Sequence, residues 1–342
     1  RPKTDTMKSL FFASLLCLKF SICSTINFDG LSLRSGAEAA VEALKSIPNL
    51  GWEAGINNRF TGEGLLNAKT LMGVRKTNFT LPLKVQKPMV GVPDSWDSRT
   101  QFPQCPSISD IWDQSACGSC YVLATVMSAS DRMCVATNGS RTERISAEEM
   151  LSCCHTCGNG CADGFPPYAW AWMASHGSVT GGSFGDNHYC SAYSLPQCEH
   201  YSNGSFPACG APFHTPKCVT ACDKNSTYPV PFGKDTIKFV SSYQVASDDT
   251  SIMQEIVQHG SVTATFNVYS DFLHYKSGVY QAMGGDELGG HAVRIIGYGT
   301  EDSKPYWLVA NSWNKDWGDN GYFKILRGNC GINLGVYGGK YR

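Results

Sequence analysis

Net charge is almost absent from this 342-residue chain: 28 Lys and Arg stand against 29 Asp and Glu, leaving −1. That removes the basic surface on which a nucleic-acid partner would be expected. Long apolar runs are as scarce. The one present, Leu10 to Cys23 behind Met7-Lys8 and broken by Lys19, is shorter than the ~20 residues a bilayer span needs. It reads as a signal peptide over residues 7–25, cleaved near Ser24, with residues 1–6 upstream of it. Without another such run, a soluble protein with no membrane span is expected. Internal repeats and low-complexity tracts are missing, and residues 27–91 contain no cysteine.

The near-neutral total hides an asymmetry. Residues 1–91 hold 12 Lys and Arg against 6 Asp and Glu, a net of +6; residues 92–342 hold 16 against 23, a net of −7. A basic front attracts an acidic body, and acid weakens that attraction by protonating carboxylates. Cysteine is also uneven. Beyond Cys17 and Cys23, all fourteen lie from Cys105 onward, twelve of them between 105 and 222 besides Cys120, with Cys330 apart. This density suits an oxidising secretory route. Four sequons, at Asn78, Asn138, Asn203 and Asn225, are candidate N-glycosylation sites and agree with it.

The length suits two domains, or one domain with processed segments, and 42% hydrophobic residues supply a sizeable core. Ala37 to Ser46 is spaced as a short amphipathic helix in an otherwise loop-like front. Pro82, Pro88 and Pro93 punctuate the chain before a boundary near Val92. The apolar spacing predicts helices over 119–137, 147–152 and 168–175. Residues 183–228 hold five cysteines and few periodic apolar residues, which predicts a disulfide-pinned loop. Strands are expected at 263–268, 292–298, 306–310 and 322–326. Helices first and strands later predict an α+β chain, with a helical lobe packed on a β lobe and a cleft between them.

The chemistry concentrates at Gln114-Ser115-Ala116-Cys117-Gly118-Ser119-Cys120-Tyr121, where a thiol opens a predicted helix. Unpaired N–H groups and the helix dipole favour a thiolate there, and the thiolate is the useful nucleophile. A thiolate needs a base, and a base needs an orienting partner. His291, in Gly289-Gly290-His291-Ala292-Val293 at the entry to a predicted strand, supplies the first, its glycines removing bulk beside the ring. Asn311-Ser312-Trp313 supplies the second: an Asn carbonyl for the imidazole and an indole to shield the bond.

This combination resembles the papain family of cysteine proteases. The resemblance implies that Cys120 is the nucleophile, His291 the general base and acid, Asn311 the orienting residue, and Gln114 with the Cys120 N–H the oxyanion hole. The family's His and Asn follow the Cys by ~130–150 residues; here the gaps are 171 and 191, so a few tens of residues are extra. They fall in the cysteine-rich segment, which resembles the occluding loop of cathepsin B, at about 190–218. The match also covers Gly51-Trp52-Glu53-Ala54-Gly55, Asp131-Arg132-Met133-Cys134, Cys153-Cys154, Gly185-Asp186-Asn187-His188-Tyr189-Cys190, Cys198-Glu199-His200 and Asn329-Cys330-Gly331-Ile332. Trypanosomatid cathepsin B enzymes are the suspected kin.

What the resemblance implies for the whole chain is a papain-like two-lobe fold with a β-barrel-like second lobe, an inhibitory propeptide over 26–91 and a peptidase domain over 92–342. The propeptide near Lys69–Val74 would run through the cleft in reverse. The implied disulfides are Cys105–Cys134, Cys117–Cys161, Cys153–Cys218, Cys154–Cys157, Cys190–Cys222 and Cys198–Cys209, leaving Cys120 and Cys330 outside any bridge. Implied substrate contacts are Gly164, Asp163, Trp313, Gly335, His200 and Ala292. No metal or cofactor is implied. The implied partners are protein or peptide substrates, the propeptide itself and cystatin-like inhibitors; the implied state is a monomer in a lysosome-like acidic compartment or secreted.

Four positions depart from the family pattern. Tyr121 replaces the Trp after the nucleophile. Cys161-Ala162-Asp163-Gly164 replaces Cys-Asn-Gly-Gly and brings a carboxylate toward the non-primed subsites. Where cathepsin B has two carboxylate-binding histidines there are His200 and Tyr201, with Asp113 free to anchor His200 and Phe206 in place of an anchoring Arg; endopeptidase over dipeptidyl-carboxypeptidase activity is expected. Gly335 replaces the acidic residue at the S2 base, favouring an apolar or aromatic P2. The rival readings are a catalytically dead binding protein on the same fold, a zinc site at Cys153, Cys154, Cys157 and Cys161, and an independent N-terminal binding domain, for which cysteine-free residues of poor periodicity offer little core.

Overall fold

The computed structural model describes residues 29–86, 91–199, 206–209 and 211–342. Residues 1–6, the signal peptide 7–25, His200, Tyr201 and the Asn203 sequon of the sequence reading lie outside them. In chain order the helices are α1 (Ala37–Lys45), α2 (Glu63–Leu66), α3 (Ser98–Gln101), α4 (Cys120–Ala136), α5 (Ala147–Cys153), α6 (Pro166–Ser175) and α7 (Asp249–His259). The strands are β1 (Trp52–Ala54), β2 (Leu83–Lys84), β3 (Trp96–Asp97), β4 (Ser241–Val245), β5 (Val262–Tyr269), β6 (Tyr275–Tyr280), β7 (Glu287–Glu301), β8 (Lys304–Ala310), β9 (Tyr322–Leu326) and β10 (Gly335–Lys340).

Helix α4 is the axis of the helical lobe. Every residue from Cys120 to Cys134 is buried, as befits a helix packed on all sides. It stops where Asn138 and Gly139 turn to positive φ and the Gly139 N–H bonds the Cys134 carbonyl at 2.9 Å. The β lobe is one sheet of order β1-β6-β9-β8-β7-β5-β10-β4-β2, with β3 on β7. It does not close on itself, and both of its edges come from the chain before residue 92. Two buried ion pairs tie α4 to this lobe: Asp131 to Arg294 on β7 at 2.6 Å, and Arg132 to Glu255 on α7 at 2.5 Å. The helix bearing Cys120 is thereby locked to the strand bearing His291.

Helix α7 is missing from the sequence reading, although its signals are present. Asp248 accepts from the Ser251 N–H at 2.8 Å, Gly260 ends it at φ 91, and Ile252 and Ile256 face the core. Strands β4, β6 and β10 were also unread. Strand β7 begins at Glu287, so His291 stands inside it and not at its entry.

Residues 29–86 have no core of their own. Leu33, Leu44, Trp52, Phe60, Leu71 and Met72 join the same buried cluster as Phe272, Tyr280, Trp313 and Trp317. Phe60 meets Trp313 edge-on at 5.2 Å and Trp52 meets Tyr280 likewise at 5.2 Å, contacts worth about 0.5–1.5 kcal/mol each beyond area burial. An independent N-terminal domain is therefore excluded. The disulfides are Cys105–Cys134, Cys117–Cys161, Cys153–Cys218, Cys154–Cys157, Cys190–Cys222 and Cys198–Cys209. Cys153, Cys154, Cys157 and Cys161 are thus spent in three bridges, which removes the zinc reading.

Candidate active site

Four residues singled out in the sequence meet at one point. Cys120 is the first residue of α4, and its Sγ accepts from the Ala292 N–H at 3.5 Å. The next residue back along β7 is His291, whose Nε2 meets Asn311 Oδ1 at 2.8 Å. With that oxygen as acceptor the ring carries hydrogen on Nε2, leaving Nδ1 as the base. Asn311 is held by its own N–H on the Gly321 carbonyl (3.0 Å) and by the Ser312 N–H on Oδ1 (2.8 Å). Trp313 stacks over the imidazole with centroids 4.9 Å apart and an angle of 29°. Gln114 is fixed through Oε1, which accepts from Ser312 at 2.7 Å.

The Gln114 Nε2 group donates to Cys117 O at 2.9 Å and to Leu71 O at 3.0 Å. The second bond comes from the N-terminal segment. Residues 71–75 cross the cleft over Cys120: Val74 N–H to Gly290 O at 3.0 Å, Gly164 N–H to Gly73 O at 2.8 Å, and Arg75 N–H to Gly164 O at 2.9 Å. The approach is so close that a Cβ on Gly73 would lie 1.7 Å from the Gly118 carbonyl oxygen. Gly289 and Gly290 make room for this segment, facing Met72 and Val74.

Covering the site sets its protonation. Burial pushes the Cys120 thiol up to about 11, although the N–H groups of Ala292, Gly73 and Tyr121 pull the other way. Burial pushes His291 down to about 4 against the bond to Asn311. The expected thiolate is therefore absent in this state, because desolvation outweighs the helix N-terminus. Consistent with a neutral pair, His291 Nδ1 is buried and makes no hydrogen bond.

The remaining predicted residues divide. Gly164 packs so tightly on Tyr121 that a Cβ would sit 2.4 Å from its ring. Gly335, Thr265 and Ala292 lie side by side in register across β10, β5 and β7. Asn78, Asn138 and Asn225 are exposed. Asp113 is not available to a loop histidine here: Arg59 of the N-terminal segment takes both of its oxygens at 3.0 Å, and both residues are buried. Sequence reasoning missed Arg59, and also Tyr193, whose hydroxyl bonds Ser119 at 2.7 Å and the Gln114 carbonyl at 3.1 Å. Neither sits in a local motif; only the three-dimensional path of the chain brings them here.

Comparison with known proteins fits this geometry. Residues 92–339 match the family described as papain family cysteine protease. A cathepsin B-like cysteine proteinase of Schistosoma japonicum is 40% identical over 313 residues, covering 89% of this chain and 90% of its own. Cathepsin B-like cysteine proteinase 4 of Caenorhabditis elegans is 44% identical over 313 residues, covering 88% and 91%. Among solved structures, procathepsin B S9 from Trypanosoma congolense superposes with a TM-score of 0.77 at 33% identity, covering 88% of this chain and 97% of its own. Among the described residues, no helix is long and apolar enough to cross a membrane.

Proposed function

The chain belongs to the papain family of cysteine proteases, and from that premise we propose a cathepsin B-type peptidase made as a zymogen, with residues 26–91 as its inhibitory propeptide. The observation that carries this is the Leu71 carbonyl on the Gln114 amide, directly over the nucleophile's loop. A peptide carbonyl held there marks where a scissile carbonyl would lie, and the surrounding segment denies that place to substrate.

Once the segment leaves, water reaches Cys120 and His291, the desolvation cost falls, and the thiol proton can pass to Nδ1. Sγ attacks the carbonyl carbon while the Gln114 amide and the Cys120 N–H hold the oxyanion. His291 then returns the proton to the departing amine, leaving a thioester. Water, deprotonated by His291, releases the acid and restores the thiol. Asn311 keeps the ring in the tautomer this cycle needs, and Trp313 keeps water off that bond.

The balance of activities follows from the same surroundings. No acidic side chain stands among Gly335, Thr265 and Ala292, and apolar Val74 packs beside Ala292 and Cys120, which supports an apolar P2 preference. Phe206 in place of an anchoring Arg supports a weakly held loop and endopeptidase activity. A peptide series with Phe or Arg at P2 and a free or amidated C-terminus tests both features. Comparable cleavage of the acid and amide forms and Phe over Arg are expected. A strong preference for the free acid, or for Arg, would contradict them.

A secretory route to a lysosome-like compartment, with maturation in acid, completes the proposal. Strand β2 brings Lys84 into a cluster on the β4 edge: its Nζ is 2.8 Å from Glu255, 3.2 Å from the Tyr243 hydroxyl and 3.4 Å from His259 Nε2, with Arg132 and Lys340 also facing the histidine. Burial favours a neutral Glu255, but Arg132, His259 and Lys84 outweigh it and hold the carboxylate at about 2. It stays charged in mild acid. His259 is the group that changes: burial, Arg132 and Lys84 hold it at about 4 instead of 6.5. Between those values acid favours a state in which the ring is uncovered and free to take a proton, so inhibition weakens as pH falls from about 6.5 to 4. Lys84→Met should raise precursor activity at neutral pH and flatten its rise toward acid; an unaltered pH profile would remove Lys84 and His259 from the switch.

A further inference from the structure

The peptidase reading leaves one charged residue of the cleft unexplained. Asp163 stands on the loop that presents Gly164, and its Oδ1 is buried without a hydrogen-bond partner. The loop is rigid: disulfides Cys117–Cys161 and Cys154–Cys157 pin it, Gly118 N–H bonds Cys161 O at 2.7 Å, and Asn159 N–H bonds Asp163 O at 2.7 Å. A carboxylate oxygen held in place and left without a donor is ready for a cation to approach.

The covering segment supplies one. Gly73 lies against the Gly118 backbone, Val74 faces Gly164, and Arg75 is the next residue away from Cys120. Side chains of an extended strand alternate in direction. Val74 packs on Cys120, Ala124 and Ala292, and Arg75 leans over the loop instead. Its Nη1 is 3.6 Å from Asp163 Oδ1, and its guanidinium carbon is 5.9 Å from the centre of the Phe165 ring. Among the described residues no other cation lies within ion-pair distance of Asp163, so the carboxylate loses its partner when the segment departs.

We propose that Asp163 and Phe165 form a subsite that selects Arg or Lys at P3, the residue next to the one facing Gly164 on the side away from the scissile bond. The proposal rests on the peptidase reading, in which the residue facing Gly164 is P2. The carboxylate attracts the cation and the ring face receives its apolar stem and positive plane. Because the ion pair is partly exposed, the preference is moderate and weakens with salt.

The test uses the full chain matured in acid and three fluorogenic peptides identical except for Arg, Gln or Glu at P3, each with Val at P2. Arg should exceed Gln in kcat/KM by about three- to tenfold, with Glu lowest. The Arg-to-Gln ratio should shrink at high ionic strength and approach one in both Asp163→Asn and Asp163→Gly. A structural role alone would lower all three substrates together and leave the ratio intact, which would overturn the proposal. So would equal cleavage of Arg and Gln by the unaltered enzyme. Failure to cleave any of the three would instead overturn the peptidase reading, and this subsite with it.

Discussion

Cys120→Ala should abolish peptide hydrolysis, lowering kcat/KM by at least about 10⁴-fold in acid-matured protein, because no other thiol reaches the cleft. Cys330, the other cysteine outside a disulfide among the described residues, is buried beside Asn329 in the β lobe's core. The mutation removes one sulfur at the start of α4, and the loop before it is held by other groups: Tyr193 on Ser119, Ser312 on Gln114, and the Cys117–Cys161 bridge. The fold should therefore survive. Gln114→Ala should cost less, about 10²–10³-fold, since it deletes one oxyanion donor worth ~2.7–4 kcal/mol and spares the nucleophile. Progress curves with one dipeptidyl fluorogenic substrate measure both. Residual turnover in Cys120→Ala within a hundredfold of the parent would show that another group performs the attack.

Arg59→Ala should uncover the cleft. Arg59 and Asp113 are 3% and 4% exposed, so water does little to screen this pair. Asp113 also accepts from the Ser115 N–H at 2.7 Å and Asn314 Nδ2 at 3.2 Å, but neither carries charge to balance the carboxylate. Deleting one partner of a buried pair leaves an uncompensated charge at a cost of about 3–5 kcal/mol. Release of the segment lets water reach Asp113, so the cost falls on the inhibited state alone. Unprocessed precursor should then show at least a hundredfold more activity at neutral pH and mature sooner. Arg59→Lys should fall between, since an ammonium cannot engage both oxygens as a guanidinium fork does. Precursor activity equal to the parent's would mean that Arg59 is incidental to inhibition.

What the sequence disclosed, and what it withheld, has a physical pattern. Cys120, Gln114, His291 and Asn311 were legible because each sits in a short motif whose neighbours have local work: a helix start, glycines that admit a strand, an indole beside an amide. Helix α4 and strand β9 were legible from periodicity. Helix α7 carried readable caps in Asp248 and Gly260 but lay in a stretch dominated by strand-forming residues. Strands β1 and β2, at three and two residues, are too short to leave a period-two pattern, yet they form both edges of the sheet. The basic front and acidic body were visible as totals. That the attraction runs through Arg59–Asp113, Arg75–Asp163 and Lys84–Glu255 was not, since pairs separated by 54 to 171 residues depend on the folded path. The neutral thiol of the covered state was illegible for a related reason. A helix N-terminus is a local feature, whereas the cover that outweighs it arrives from residues 71–74.

The central claim is that Cys120 is a nucleophile silenced by its own N-terminal segment. Labelling with an epoxide-type thiol inhibitor tests it most directly, with the modified residue located by mass spectrometry in precursor at neutral pH and again after maturation at about pH 4–5.5. The account predicts no label on precursor, one label per chain after maturation, placed on Cys120, and none on Cys330. Equal labelling before and after, or no label on Cys120 in matured protein, would contradict it.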